Sequence, residues 1–214
     1  LYSHNLITIQ NLYKPFILLA GISGTGKTRF VREQAKLTGD ISETYCLVSV
    51  RPDWHEPGDL LGYASRLGAR PQYIATDVLR FIVKAWREII ISIEMEKGKP
   101  VDWKGHDLEQ IRPFWLCLDE MNLAPVEQYF ADYLSILETS CWNDSEKLAD
   151  SDHDYIYECD PLIKGEVFTA LDIDIPEEDE KPSDLLAKDL GLNLSEKLDK
   201  DIWDYFLCHG ISIP

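Results

Sequence analysis

The sequence has no long hydrophobic run; none of its 214 residues falls within the roughly 18-residue apolar stretch that a membrane span requires. A charged-then-apolar leader is also missing. The chain opens on Leu1 and stops at Ile211-Ser212-Ile213-Pro214 with no obvious terminator, which reads as a piece of a longer polypeptide. Five cysteines (Cys46, Cys117, Cys141, Cys159, Cys208) form no C-x-x-C pair, which excludes a zinc ribbon and a paired disulfide framework. Reduced thiols, a cytoplasmic setting and no membrane partner are the expectation. His4, His55, His106, His153 and His209 have no metal-ligand spacing.

Positive charge is scarce as well. Lys and Arg number 21 against 38 Asp and Glu, a net charge of −17. Residues 1–137 carry 17 acids and 15 bases, whereas residues 138–214 carry 21 acids, 6 lysines and no arginine. A surface that grips DNA or RNA needs cations to neutralise phosphates, so the second part is unsuited to that role. It suits a solvated face, or a docking surface for a basic partner. The six tryptophans lack the interleaved basic residues of a single-strand stacking platform, and core packing is expected for most of them.

What the sequence does contain is a phosphate-loop pattern. Phe16-Ile17-Leu18-Leu19-Ala20 is a short apolar run of strand type, followed at once by Gly21-Ile22-Ser23-Gly24-Thr25-Gly26-Lys27-Thr28, the full G-x-x-x-x-G-K-[ST] motif. Its glycines permit backbone angles closed to other residues, so that successive N–H groups turn toward a phosphate. Lys27 supplies a charge for the β- and γ-phosphates, and the Thr28 hydroxyl is a Mg²⁺ ligand. The helix expected from Lys27 to Leu37, with Phe30, Val31 and Leu37 inward, aims its positive end at the same anion. Arg29 either reaches the nucleotide or is a solvated helix residue.

Beyond the loop, the pattern predicts a strand over residues 45–50 and a turn-rich segment over 51–63. A long amphipathic helix is expected over 77–95, from Val78, Ile82, Ala85, Trp86, Ile89 and Ile93, and a polar linker over 98–112. Phe114-Trp115-Leu116-Cys117-Leu118 is a buried-type strand. Pro125 opens a further helix with Val126, Phe130, Tyr133 and Leu137 on one stripe. This alternation implies an α/β fold, a parallel sheet flanked by helices on both faces. Past residue 140, segments 155–159 and 166–171 are expected to pair as a hairpin, and residues 184–190 and 194–207 to form two amphipathic segments after an acidic stretch.

The strand at 114–118 ends at Asp119-Glu120. Ligands of open parallel sheets collect at the C-terminal ends of strands. There Asp119 can hold Mg²⁺ through water and Glu120 can act as general base on an attacking water. The 92-residue separation of Lys27 from Asp119 leaves room for an extra strand and helix, and no Asn-Lys-x-Asp guanine reader is present.

Leu118-Asp119-Glu120-Met121-Asn122-Leu123-Ala124, running into Val126-Glu127-Gln128-Tyr129-Phe130, resembles the Walker B strand and following helix of McrB-type AAA+ proteins, the nucleotide-driven components of 5-methylcytosine restriction systems. Val50-Arg51-Pro52-Asp53-Trp54 and Asp59-Leu60-Leu61-Gly62 resemble the segment after the second strand in that group. Asp-Leu-Leu-Gly is shared more loosely with dynein-related and MoxR-like AAA proteins. The likeness covers residues 14–140. It implies an AAA+ core over 1–140 and an acidic α+β insertion over 141–214 that precedes the sensor strand; the family's sensor, signature loop and arginine finger are not within these residues. It implies that Gly21, Ser23, Gly24, Thr25, Gly26, Lys27 and Thr28 bind ATP or GTP. Thr28 and Asp119 would then serve Mg²⁺, and Glu120 with Lys27 would serve hydrolysis. Asn122 is either a further polar group at the site or a turn-capping residue. For Trp54 the resemblance raises a pore or subunit-interface role. A homo-oligomeric ring, a nuclease or activator subunit, and DNA bound through other regions are the implied partners, with weak turnover by this stretch alone. The rival readings are a nucleotide-binding interaction module that barely hydrolyses and a P-loop small-molecule kinase. The kinase would want an arginine-rich lid, which residues 138–214 cannot supply.

Overall fold

The computed structural model describes residues 16–107, 110–144, 155–176 and 178–214. The expected lead-in over residues 1–14 lies outside the described residues. The chain is α/β, with helices packed, among the described residues, around four two-stranded sheets, one of them parallel.

Helix α1 (Lys27–Thr38) follows the phosphate loop, and a short α2 (Ile41–Thr44), capped by the Asp40 carboxylate, leads into β1 (Tyr45–Ser49). The expected inward stripe of α1 is different from the one observed. Gln34 and Ala35 are its buried residues, Val31 is half-buried, and Phe30 and Leu37 are exposed; Phe30 and Val31 line an open cleft rather than a closed core. Strand β1 pairs in parallel with the later strand β6 (Trp115–Asp119), in register from Tyr45 opposite Trp115 to Ser49 opposite Asp119. Residues 16–20 are extended but pair with no strand among the described residues, so the sheet is narrower than expected.

The turn-rich segment is in part helical. A capping box between Glu56 and Asp59, with Pro57 at the first position, starts α3 (Pro57–Leu61), which ends in the antiparallel hairpin β2 (Gly62–Ser65) and β3 (Gln72–Ala75). Thr76 then caps α4 (Asp77–Ile89), which buries Val78, Leu79, Ile82, Val83, Ala85 and Trp86.

The helix expected to reach residue 95 stops at Ile89. Residues 90–96 form β4 (Ile90–Glu96), and the supposed linker supplies its partner β5 (Lys99–Gly105). Ile89-Ile90-Ile91 is a β-branched run that suits a pleated strand better than a helix. Lys97 (φ 50°) and Gly98 (φ 78°) make the two-residue, doubly left-handed turn that closes hairpins.

After β6 come a 3-10 turn at Met121–Leu123, α5 (Val126–Tyr129) and α6 (Ala131–Thr139); one expected helix is two, broken at Phe130. The hairpin expected between 155–159 and 166–171 is also replaced. Strand β7 (Cys141–Asp144) pairs antiparallel with β8 (Tyr155–Glu158), and 166–171 belongs to α7 (Gly165–Thr169) and the 3-10 turn Ala170–Asp172. Phe168 and Leu171, three residues apart, are both buried, a helical spacing that a short apolar run hides. The two amphipathic segments appear as α8 (Pro182–Asp189) and α9 (Lys197–His209).

Residues on both sides of position 140 share one hydrophobic core, from Val50 and Trp54 through Leu79 and Trp86 to Phe168, Trp203 and Ile211. Polar links also cross it. Arg80 grips Asp189 with two bonds (2.9 and 3.2 Å), Arg87 meets the buried Asp199 (2.8 Å), Arg70 meets Asp179 (2.7 Å), and the Trp86 indole donates to the Ser212 carbonyl (2.8 Å). Part of the acidity of residues 138–214 is therefore answered by arginines of α4 and the β2–β3 connection.

A Cβ placed on Gly165 would sit 2.2 Å from the Leu207 carbonyl, where α7 crosses α9. Gly165→Ala should accordingly lower stability by about 1–3 kcal/mol, read as a shift in the urea midpoint. Arg112, by its hydrogen bonds to Glu88 (2.7 and 2.9 Å), holds the Glu88 carboxyl below the ordinary glutamate range. A carboxyl lowered in the folded state stabilises above its unfolded pKa, and that contribution fades as pH falls through the folded value. Arg112→Ala should therefore cost stability at pH 7 and progressively less toward pH 3, measured by urea unfolding across that range.

Candidate phosphate-loop site

The loop from Gly21 to Gly26 gets its shape from residues without side chains. Gly24 (φ 79°) and Gly26 (φ 88°) adopt the left-handed backbone, and a Cβ at either would meet nothing within 4 Å. Gly26 is also the N-cap of α1, where no side chain caps the helix and no acidic residue occupies the first turn. The first-turn N–H groups, with the positive end of the helix dipole, thus point at the loop with no capping side chain and no acidic residue of the first turn to compete for them.

Polar contacts hold the remaining loop residues. Thr25 donates to the Ile22 carbonyl (2.8 Å), and the Lys27 ammonium bonds the carbonyls of Gly21 (3.0 Å) and Ile22 (2.9 Å). An ammonium has three donors, so two brace the loop and one stays available.

The second half of the site is the C-terminal end of β6. The Asp119 carboxylate accepts from the Thr28 hydroxyl (3.0 Å) and from the Glu120 N–H (3.1 Å), while its carbonyl accepts from Val50 (3.0 Å). Glu120 lies on the exposed side of the same end and accepts from Ser23 (3.3 Å). Two hydrogen bonds therefore join residues 91 and 97 positions apart in the chain, one at each end of the loop. Glu120 has φ 54°, a left-handed angle that costs a residue with a Cβ about 1–2 kcal/mol. This non-glycine residue is held there by the turn from β6 into Met121–Leu123, which turns its carboxylate toward the loop.

The structure brings together Gly21, Ser23, Gly24, Gly26, Lys27, Thr28, Asp119, Glu120 and Asn122 on the wall of one cleft of about 1000 Å³. Thr25 sits in the loop but turns its hydroxyl back onto the backbone. Asn122 lies in the 3-10 turn, where no side chain caps the turn. The rest of the cleft is apolar: residues 16–19 on one side, Phe114, Leu116 and Leu118 of the β6 segment on another, and Phe81 and Ile82 of α4 between them. Arg29 lines a different groove, on the far side of α1.

The donor set fits a hard cation accompanied by phosphate. Among the described residues no three His, Cys, Asp or Glu side chains converge as a self-sufficient metal cluster. One hydroxyl and one carboxylate at 3.0 Å suit Mg²⁺, which takes few protein ligands and completes its octahedron with water and phosphate oxygens.

Several residues have structural explanations. Trp54 is 5% exposed and stacks edge-on against Tyr129 at 5.3 Å, a core position that corrects the pore or interface reading. Trp86 and Trp203 are buried as expected. Asp59 of the Asp-Leu-Leu-Gly stretch accepts from the N–H groups of His55 and Glu56, which makes it the box residue of α3. His209 stacks on Tyr205 and contacts the Pro100 carbonyl. Cys46, Cys117, Cys159 and Cys208 are free thiols, and burial pushes Cys46 and Cys117 above the ordinary thiol value. Among the described residues no helix is long and apolar enough to cross a membrane. No family model, no curated protein and no solved structure matches this chain at a significant level, so its function is read from this geometry.

Proposed function

We propose that this chain is a nucleoside-triphosphatase core of the AAA+ kind, McrB-like in its Asp119-Glu120-Met121-Asn122 segment, which binds ATP or GTP with Mg²⁺ and hydrolyses it. The observation that carries this reading is the pair of bonds Thr28–Asp119 and Ser23–Glu120, which set two loop hydroxyls and two carboxylates of different reach around one space.

Each residue has a separable task. Backbone N–H groups from Gly24 to Thr28 and the end of α1 receive phosphate oxygens. Lys27 turns its remaining donor toward the β- and γ-phosphates. Thr28 and Asp119 hold Mg²⁺, whose contribution when bound is to neutralise charge on those phosphates. Glu120, exposed and held by a single 3.3 Å bond, takes a proton from the attacking water. Phosphoryl transfer of this class rests on positioning and charge, so a neighbouring subunit's arginine in a homo-oligomeric ring would supply the remaining stabilisation.

The apolar cleft supports the same reading. It separates the extended residues 16–20 from the open edge of β6, and its apolar lining is what a further parallel strand, buried on both faces, would require. A sensor strand of the AAA+ core meets that description. Intact Lys27, Thr28, Asp119 and Glu120 favour hydrolysis over a binding-only module, which has no need of Glu120. Association with a nuclease or activator subunit and action on DNA belong to the same proposal.

Lys27→Ala should abolish Mg-triphosphate binding in calorimetry while leaving the far-UV spectrum unchanged, since its ammonium contacts only loop carbonyls. Wild-type affinity in that variant would sink the phosphate-loop assignment. Glu120→Gln should keep Mg-nucleotide binding and lose turnover by at least about a hundredfold in the assembled protein. Undiminished turnover would move the base to another residue.

A further inference from the structure

Strand β1 is an edge. Val50, just past its end, donates to the Asp119 carbonyl of the β6 side. Backbone groups of alternate residues point to opposite edges, so those of Tyr45, Leu47 and Ser49 face away from β6. No strand pairs there among the described residues. Exposed edges are ordinarily protected by charged side chains, proline or a bulge. Tyr45-Cys46-Leu47-Val48-Ser49 has none of these, and Leu47 is 48% exposed.

Beside this edge runs a groove of about 700 Å³ between β1 and α1. Its floor includes Tyr45 and Leu47, and its wall carries Arg29, Arg32 and Lys36 together with one acid, Glu33, on the same face of α1. Lys36 is paired with Glu33 (2.8 Å), but Arg29 and Arg32 form no ion pair among the described residues. In a chain of net charge −17, two such arginines beside an uncharged strand whose outer edge has no partner among the described residues are a distinctive conjunction. The three cations fall at i, i+3 and i+7, on one face of α1. At about 1.5 Å per residue they span about 10 Å along the helix. Same-face residues of an extended strand recur about every 6.6–6.8 Å, so successive acidic residues on one face of an added strand stay within reach of the row.

We propose that the open edge of β1 and the basic row of α1 form a docking site for an extended acidic segment of a partner protein, added as a third strand with alternating acidic and apolar residues. The acidic residues face Arg29, Arg32 and Lys36. The main chain pairs with Leu47 and Ser49, which is the general mode of strand addition. A second copy of this chain is the competing occupant, and the sedimentation arm of the test separates it from a partner segment.

The test uses a fluorescein-labelled ten-residue peptide of alternating Asp and Val, titrated with the chain and followed by fluorescence anisotropy. Saturable binding is expected, weakened at least tenfold by Arg32→Glu with an unchanged far-UV spectrum, and lost when alternate peptide amides are N-methylated. A Lys/Val peptide should not bind. N-methylated peptide binding as tightly as the parent would overturn strand addition, and equal binding of the Lys/Val peptide would overturn the charge selection. These two comparisons need no variant to fold. Absence of saturable binding overturns the proposal outright. So does a dimer in sedimentation that Arg32→Glu dissolves and the peptide leaves intact, which would give the edge to a second copy.

Discussion

Helix α4 is the constraint that the remaining elements answer to. It packs on β1 and α3, its Trp86 ring meets Trp103 of β5 edge-on at 5.1 Å, and its Arg87 reaches Asp199 of α9. Fully burying an aliphatic side chain is worth about 1.5–3 kcal/mol, and Val78, Leu79, Ile82 and Val83 are each at most 3% exposed. The arginines on its outer side, Arg80 and Arg87, are half exposed, and ion pairs at such positions contribute little. Apolar packing therefore fixes where α4 sits, while the arginine pairs fix the orientation of the acidic part against it. Asp199 differs from the other acids: buried and holding both Arg87 and the Asn193 N–H, it would leave a stranded charge if either bond were lost.

The phosphate loop depends on that arrangement indirectly. Its anchor across the site, Asp119, ends a strand whose only described partner is β1, and α4 packs on β1. The loop's shape and its meeting with β6 were legible in the sequence because each requirement belongs to a single residue type: glycine for left-handed backbone at Gly24 and Gly26, threonine for a small hydroxyl that reaches Asp119. The carboxylates were legible for a similar reason, since an apolar strand that ends in two acids places them at the sheet's C-terminal margin. The left-handed angle of Glu120 was not legible. It arises from the turn into Met121–Leu123, and backbone strain of this sort concentrates where a side chain must be aimed.

What escaped the sequence reading was partner choice. Residues 16–20 have the composition of a strand, yet composition names no neighbour, and here they flank a cleft. The run from 77 to 95 keeps helical spacing through Ile93, but Lys97-Gly98 permits a tight turn that converts its last third into a hairpin arm. Trp54 stands among turn formers, a setting that suggests exposure, whereas Tyr129, far along the chain, covers it. The first and last of these depend on contacts made across the chain, which local pattern does not encode.

The links between α4 and the C-terminal elements have a temporal consequence. Arg80 waits for Asp189, Arg87 for Asp199 and Trp86 for Ser212, across 109, 112 and 126 residues. At a synthesis rate of about 5–20 residues per second, α4 leaves the ribosome several seconds or more before these partners exist. Throughout that interval its apolar face and the arms of the β4–β5 hairpin have no complete core to enter. Contacts of such long range also slow the final closure, because loop entropy is lost before the pairing compensates for it. The newly made chain is consequently exposed to misassociation until α9 emerges, since α9 brings the partners that α4 lacks.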